Sequence, residues 1–165
     1  MKAEGLDYSR PEFKTMFANY GLTAVAALGL EKLIMLLIAA IDNIGRGDLP
    51  KEMLHKYLQQ HRKKPLGVLV KELEKRVILS PDLKTDLQRA LSDRNMIIHH
   101  FFIDKYETML LDEGPSRLSN QLRPIRDSFV AVQSKIDDLL GLVSGELNRT
   151  RSEMNPEIRK LLIEK

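Results

Sequence analysis

Residues 93–102 read DRNMIIHHFF, an apolar run that contains an arginine, an amide and two histidines. Apolar residues recur at helical spacing from Leu83 to Phe101, so the run belongs to an amphipathic helix. At about 100° per residue, Arg94 falls in the middle of the apolar stripe of that helix. A buried charge without a partner costs several kcal/mol, so an anion or several hydrogen-bond acceptors must pair with the Arg94 guanidinium.

The composition favours helices over sheets. Of the 165 residues, 43% are hydrophobic, yet only 5% are aromatic and Trp is absent. Leu, Ile, Ala and Met must therefore form the core, which is typical of helical bundles. No stretch has the apolar–polar alternation of a strand. We expect an all-α fold, an antiparallel bundle of five to six helices.

Gly and Pro divide the chain into these helices. Two serines predict helix starts: Ser80 stands directly before Pro81, and Ser9 stands two residues before Pro11, which would lie in the first turn. We expect the first helix to end at residues 19–21, and an apolar helix to follow over residues 22–43. We also expect a loop at 43–48 and helix starts at Pro50 and Pro65. The last long helix is predicted over 116–154, and Pro124 either kinks this helix or marks the true start of its main part.

We interpret residues 1–165 as one helical domain, with its core over about 10–150 and a C-terminal tail, 155–165, that frays or docks. Cysteine is absent, which excludes disulfides and cysteine-based zinc sites. The apolar run 22–41 is long enough for a membrane span, but Glu31 and Lys32 at its centre argue against one. The N-terminal residues lack a signal-peptide pattern, so we expect a cytoplasmic protein.

Two interpretations of Arg94 remain open from the residues alone. In the structural one, Arg94 forms an internal ion pair with Glu31, the only acid within the apolar run 22–41, or with Asp86 or Asp93. In the functional one, Arg94 grips a phosphate while a histidine moves protons during RNA cleavage. A two-fold dimer would bring two such sets of residues around one groove.

Residues 94–99, RNMIIH, match the Arg-polar-x-x-x-His motif of HEPN domains, helical domains of higher eukaryotes and prokaryotes nucleotide-binding type. The chain resembles that family over about residues 10–150, with the motif late on a long helix. The resemblance implies a HEPN-like bundle with a metal-independent ribonuclease site, often at a homodimer interface. Many members of the family are toxins that pair with an antitoxin, and others are inactive scaffolds.

The resemblance also implies roles for individual residues. Arg94 would hold the phosphate, Asn95 would orient the reacting groups, and His99 would be the acid–base residue, with His100 as its rival. The expected partners are a second copy of the chain, an RNA substrate, and an antitoxin or regulatory protein. The alternative to an endoribonuclease is a non-catalytic helical interaction module in which Arg94 is structural.

A second basic segment, His61-Arg62-Lys63-Lys64, is either a phosphate-contacting patch or an ordinary solvated helix end. The net charge of +3 is compatible with nucleic acid but does not point to it. We expect no cofactor and no metal, because the chain has no glycine-rich phosphate loop and no carboxylate cluster with metal spacing.

Overall fold

The computed structural model describes residues 7–47 and 50–163, and within these ranges the regular structure is helical. The all-α prediction is confirmed. Loop residue 48 and tail residues 164 and 165, which the sequence predictions included, lie outside the described residues, as do residues 1–6. The helices are α1 (Pro11–Asp42), α2 (Lys51–His61), α3 (Leu66–Glu74), α4 (Pro81–Asn95), α5 (Phe101–Asp104), α6 (Tyr106–Met109), α7 (Gly114–Ser144) and α8 (Pro156–Leu161), and a π-helical turn (Met96–His100) joins α4 to α5.

The predicted break at residues 19–21 is wrong, because α1 is one helix of 32 residues. A glycine inside a helix costs about 1 kcal/mol relative to alanine. The buried side of α1 continues unchanged through this point, with Met16 before it and Thr23 and Leu30 after it all inaccessible to solvent. Packing against the rest of the protein therefore outweighs the local cost of Gly21.

The two predicted helix caps differ in outcome. Ser80 is the N-cap of α4, where its hydroxyl accepts a hydrogen bond from the amide of Leu83. Ser9 is not a cap: α1 is capped at Arg10, without a side-chain hydrogen bond, and the Ser9 hydroxyl donates instead to the Asp7 carboxylate. Ser9 lies one residue before the N-cap position, Arg10, and is therefore not the residue that caps α1.

We expect Ser80→Ala to lower the free energy of unfolding by about 1 kcal/mol, since it leaves an amide of the first turn of α4 without its acceptor. Ser9→Ala is the matched control and should change it by less than about 0.5 kcal/mol, as an ordinary surface substitution does. Urea unfolding of both variants measures the difference. Equal losses would contradict the assignment of Ser80 as the only cap of the two.

The long helices run up, down and up. Successive contacts between α1 and α7 advance together along both helices, from Asn19 with Ser119 to Ala26 with Gln133, so this pair is parallel. Helix α4 runs opposite to α1, because Glu31 meets Arg94 whereas Tyr20, earlier on α1, meets Ile97. The predicted antiparallel bundle is therefore wrong for the most extensive helix contact, α1 with α7. The reason is that α4, which lies between α1 and α7 in sequence, runs opposite to α1 and returns the chain to the end of the bundle where α1 begins.

The buried side chains form two clusters along α1. The larger one joins the C-terminal half of α1 to α3, α4, α7 and α8. The smaller one lies at the other end and contains Phe13, Met16, Ile97, Phe101, Met109, Leu118 and Leu122. The π turn contributes Ile97 to the smaller cluster, while α4 contributes Leu83, Leu87 and Ala90 to the larger one. Arg94 therefore lies on α4 between the last residue of one cluster and the first of the other.

The C-terminal part of the chain departs from the predicted bounds. Helix α7 begins at Gly114 rather than at residue 116, passes through Pro124, and ends at Ser144, ten residues before the expected end. The tail docks rather than frays: Ile158 and Leu162 are buried. Leu162 also forms an isolated antiparallel bridge with Val77, which fixes α8 against the segment between α3 and α4.

Helix α2 is anchored by Tyr57, which lies near an ion pair that the sequence did not predict. Arg76 donates two hydrogen bonds of 2.9 Å to the two carboxylate oxygens of Asp42. Burial, and secondly the Asp42 carboxylate, raise the pKa of Tyr57 to about 12. As the pH rises, the folded protein therefore keeps the Tyr57 phenol proton to a higher pH than the unfolded chain, in which tyrosine has its ordinary pKa of about 10.

The free energy of unfolding should consequently fall as the pH rises from about 10 to about 12, because Tyr57 stabilises the fold fully only below its unfolded pKa. A phenolate absorbance titration measures the ionisation directly. We expect one of the four tyrosines to ionise near pH 12, and Tyr57→Phe to remove that step. If all the tyrosines of the folded protein ionised together near pH 10, the burial of Tyr57 would be refuted.

Candidate functional site

Arg94 and Glu31 form an ion pair between α4 and α1. The Arg94 Nε atom donates to Glu31 Oε1 at 3.0 Å, and the side chains are only 16% and 12% exposed. The two acids that were alternative partners are engaged elsewhere: Asp93 lies 3.9 Å from Arg89, and Asp86 contacts Lys135. Burial raises the pKa of the Asp93 carboxyl, and the charge of Arg89 opposes that shift. Glu31 is thus the carboxylate that pairs with the largely buried Arg94.

The π turn changes which residues face Arg94. In an α-helix, side chains five residues apart point about 140° away from each other. The i→i+5 hydrogen bonds of a π turn accommodate one extra residue, so that residue i+5 lies above residue i. Arg94 stands two residues before the turn and His99 lies within it. Ideal α-helical spacing paired His99 with Asn95, whereas the actual backbone brings His99 to Arg94.

The guanidinium connects three side chains. Arg94 Nη1 lies 3.0 Å from His99 Nε2 and donates to Asn95 Oδ1 at 3.4 Å, while Nε is held by Glu31. Arginine can only donate hydrogen bonds, so Nε2 of His99 must accept and the ring proton must lie on Nδ1. The structure therefore brings together four of the predicted residues, Glu31, Arg94, Asn95 and His99, in one polar cluster.

His100 lies beside this cluster. It is exposed, and its ring centroid is 6.3 Å from that of His99, at a steep angle to it. His99 is exposed as well, although it touches the largely buried Arg94. A ligand approaching from solvent can therefore reach both imidazoles, and Arg94 lies directly behind the first of them.

Tyr20 is a member of this site that the sequence analysis missed. Its hydroxyl donates to the carbonyl of Ile97 in the π turn at 3.2 Å, and its ring lies 4.5 Å from that of Phe102. The signal was hidden because Tyr20 precedes Gly21, where a helix end was expected. Only the pairing of α1 with the π turn, more than seventy residues away in sequence, reveals its position.

The basic segment 61–64 is partly engaged within the protein. His61 stacks on the ring of Tyr57, with centroids 4.0 Å apart, and Lys64 Nζ pairs with Glu72 at 2.6 Å. Arg62 and Lys63 are exposed. The segment leads into α3, where a side chain at Gly67 would touch Leu91, one helical turn before Arg94. The basic segment therefore precedes a helix, α3, that packs against α4 about one turn before Arg94.

One side of α1 next to Glu31 is apolar and open to solvent. Leu22, Val25 and Leu28 follow each other at three-residue spacing and are 53%, 65% and 55% exposed. Leu28 is a helical neighbour of Glu31. Helix α1 is also long and apolar enough to cross a membrane, and 44% of its most apolar window is buried in the protein. Contiguous apolar surface is the feature by which contact sites on proteins are recognised.

No protein-family model matches this chain, and no curated protein or solved structure is significantly similar to it. In the part of the chain that the structure describes, no group of three or more His, Asp or Glu side chains is arranged to hold a metal ion.

Proposed function

We propose that this protein is a HEPN-like, metal-independent endoribonuclease that cleaves RNA with Arg94 and His99. The observation that carries the proposal is the 3.0 Å contact between Arg94 Nη1 and the exposed His99 ring across a π turn. π turns occur frequently at functional sites. A fixed cation beside an imidazole is the pair of groups that cleavage of a phosphodiester by an adjacent hydroxyl requires.

In this mechanism a phosphate oxygen of the RNA takes the place of His99 as the acceptor of Arg94 Nη1. The exchange frees His99 Nε2, which removes the proton of the ribose 2′-hydroxyl. The 2′-oxygen attacks phosphorus, the bond from phosphorus to the 5′-oxygen breaks, and the products carry a 2′,3′-cyclic phosphate and a 5′-hydroxyl. Arg94 stabilises the negative charge that develops on phosphorus, and Glu31 keeps the guanidinium in place.

The reaction also needs an acid that protonates the leaving 5′-oxygen. His100 can supply this proton within one protomer, and the His99 of a second copy can supply it in a two-fold dimer. The open stripe of Leu22, Val25 and Leu28 supports a homodimer, because it is apolar and adjoins Glu31. Asn95 orients the reacting groups, and the exposed Arg62 and Lys63 contact neighbouring phosphates of the RNA. The biological role of the protein is that of a toxin or of a defence or stress effector. An antitoxin or regulatory protein controls its activity.

A second candidate function is a non-catalytic helical interaction module. It is favoured by the fact that Glu31, Asn95 and His99 already satisfy Arg94 within one protomer. In that case the cluster only stabilises the contact between α1 and α4, and the open stripe on α1 is the surface that binds a partner protein.

Incubating the purified protein with a labelled single-stranded RNA and with DNA of the same sequence, in EDTA, separates these functions. The proposal predicts cleavage of the RNA, which survives EDTA, and none of the DNA, because DNA lacks the attacking hydroxyl. Light scattering of the same preparation measures the mass of the particle. Intact RNA after incubation with a folded dimer would contradict the ribonuclease and favour the interaction module.

A further inference from the structure

The π turn needs an external support. Five residues, Met96–His100, depart from the α-helical pattern, while the chain on both sides of them is α-helical. Widening a turn displaces backbone carbonyls from their usual partners, and buried carbonyls that lack hydrogen bonds are costly. Ile97 is buried, so its carbonyl cannot rely on water alone.

Tyr20 supplies that support from α1. Its hydroxyl donates to the Ile97 carbonyl at 3.2 Å. Its ring packs at 4.5 Å from Phe102 and at 5.5 Å from Phe101, the two residues that follow the turn. The aromatic contacts hold the chain after the turn, and the hydroxyl holds the turn itself.

We infer that Tyr20 is a positioning residue, whose hydroxyl maintains the π turn that places His99 Nε2 against Arg94. The effect of Tyr20 on RNA cleavage rests on the proposed function, whereas its support of the π turn does not. Without the hydroxyl the turn relaxes toward α-helical spacing, in which Arg94 and His99 diverge by about 140°. Among the described residues, Tyr20 forms its hydrogen bond with Ile97 and its ring contacts with Phe101 and Phe102, and none of these joins it to Arg94 or His99.

The test compares Tyr20→Phe with Tyr106→Phe, a matched removal of a phenol hydroxyl from an exposed tyrosine. The readout is the ¹⁵N NMR spectrum of the histidine rings at a pH where they are neutral, with the His99 signals identified by their absence in His99→Ala. The wild type and Tyr106→Phe should show His99 with an accepting Nε2 and a proton on Nδ1. Tyr20→Phe should lose this signature.

RNA cleavage provides the second readout. A turn that relaxes carries His99 away from Arg94, and the loss of a general acid or base lowers rates by about 10²- to 10⁴-fold, so we expect kcat of Tyr20→Phe to fall by at least about 10²-fold with KM nearly unchanged. Replacing Tyr20 with 4-aminophenylalanine restores a donor at the same ring position and should restore both the signature and kcat. This variant also decides the matter if Tyr20→Phe does not fold.

The outcomes distinguish the two proposals. If Tyr20→Phe folds and keeps the wild-type His99 signature, or if the wild type shows a proton on His99 Nε2, the positioning role is refuted, whatever the RNA assay gives. Loss of the signature with no RNA cleavage by the wild type would leave Tyr20 as the support of the π turn and would refute the ribonuclease alone. A 4-aminophenylalanine variant that folds but lacks the signature would also overturn the inference.

Discussion

Replacing His99 with alanine is expected to lower the rate of RNA cleavage by about 10² to 10⁴-fold, the usual contribution of a general acid or base. The imidazole is exposed, so its removal leaves no cavity, and the melting temperature should change little. His99→Ala therefore separates chemistry from folding more cleanly than Arg94→Ala, which also leaves Glu31 without its ion pair. Single-turnover cleavage in EDTA measures the rate.

His100→Ala is the matched control for this experiment. The two histidines are adjacent and both exposed, but only His99 contacts Arg94. If His99 alone is the essential base, His100→Ala should retain at least about a tenth of the activity, whereas a loss as large as that of His99→Ala would make His100 the partner acid within the protomer. Full activity of His99→Ala would remove His99 from the mechanism.

Glu31→Gln is expected to lower the free energy of unfolding by about 2 to 4 kcal/mol. Breaking a buried ion pair by removing one partner costs about 3 to 5 kcal/mol, since the other charge stays buried and uncompensated. We expect a somewhat smaller loss here because the Arg94 and Glu31 side chains are still 16% and 12% exposed, so that water partly compensates the remaining charge. Denaturant unfolding measures the change. A loss below about 1 kcal/mol would mean that water or another group replaces Glu31 at the guanidinium.

Two further variants identify the source of that loss. Glu157→Gln breaks the ion pair with Lys160, whose side chains are 79% and 71% exposed, and should cost less than about 1 kcal/mol. The double variant Glu31→Leu, Arg94→Met removes both charges and should recover much of the stability lost in Glu31→Gln. If the double variant were less stable than Glu31→Gln, the ion pair would contribute more to the free energy of unfolding than the compensation of one buried charge.

The sequence predicted the helical class and the polar cluster, but not the backbone that builds it. Arg94 was distinguished by its position in an apolar stripe, and Glu31 by being the only acid within the apolar run 22–41. Both signals are local and follow directly from the cost of burying a charge. The π turn has no comparable local signal, and ideal helical geometry therefore placed His99 beside Asn95 rather than on Arg94.

The other differences arise from long-range packing. Gly21 indicated a helix end, but the continuous burial of Met16, Thr23 and Leu30 keeps α1 intact. The contact of Tyr20 with Ile97 and the ion pair of Asp42 with Arg76 join residues that are far apart in sequence. No periodicity within a single helix encodes such contacts, because they depend on how the helices are placed.

The central claim is that Arg94 and His99 form a metal-independent site that cleaves RNA. Its most direct test is an analysis of the RNA ends produced in EDTA by the wild type and by Arg94→Ala. We predict 2′,3′-cyclic phosphate and 5′-hydroxyl ends from the wild type, and intact RNA from the variant. RNA left intact by the folded wild type, cleavage that persists in Arg94→Ala, or products with 5′-phosphate ends would contradict the claim.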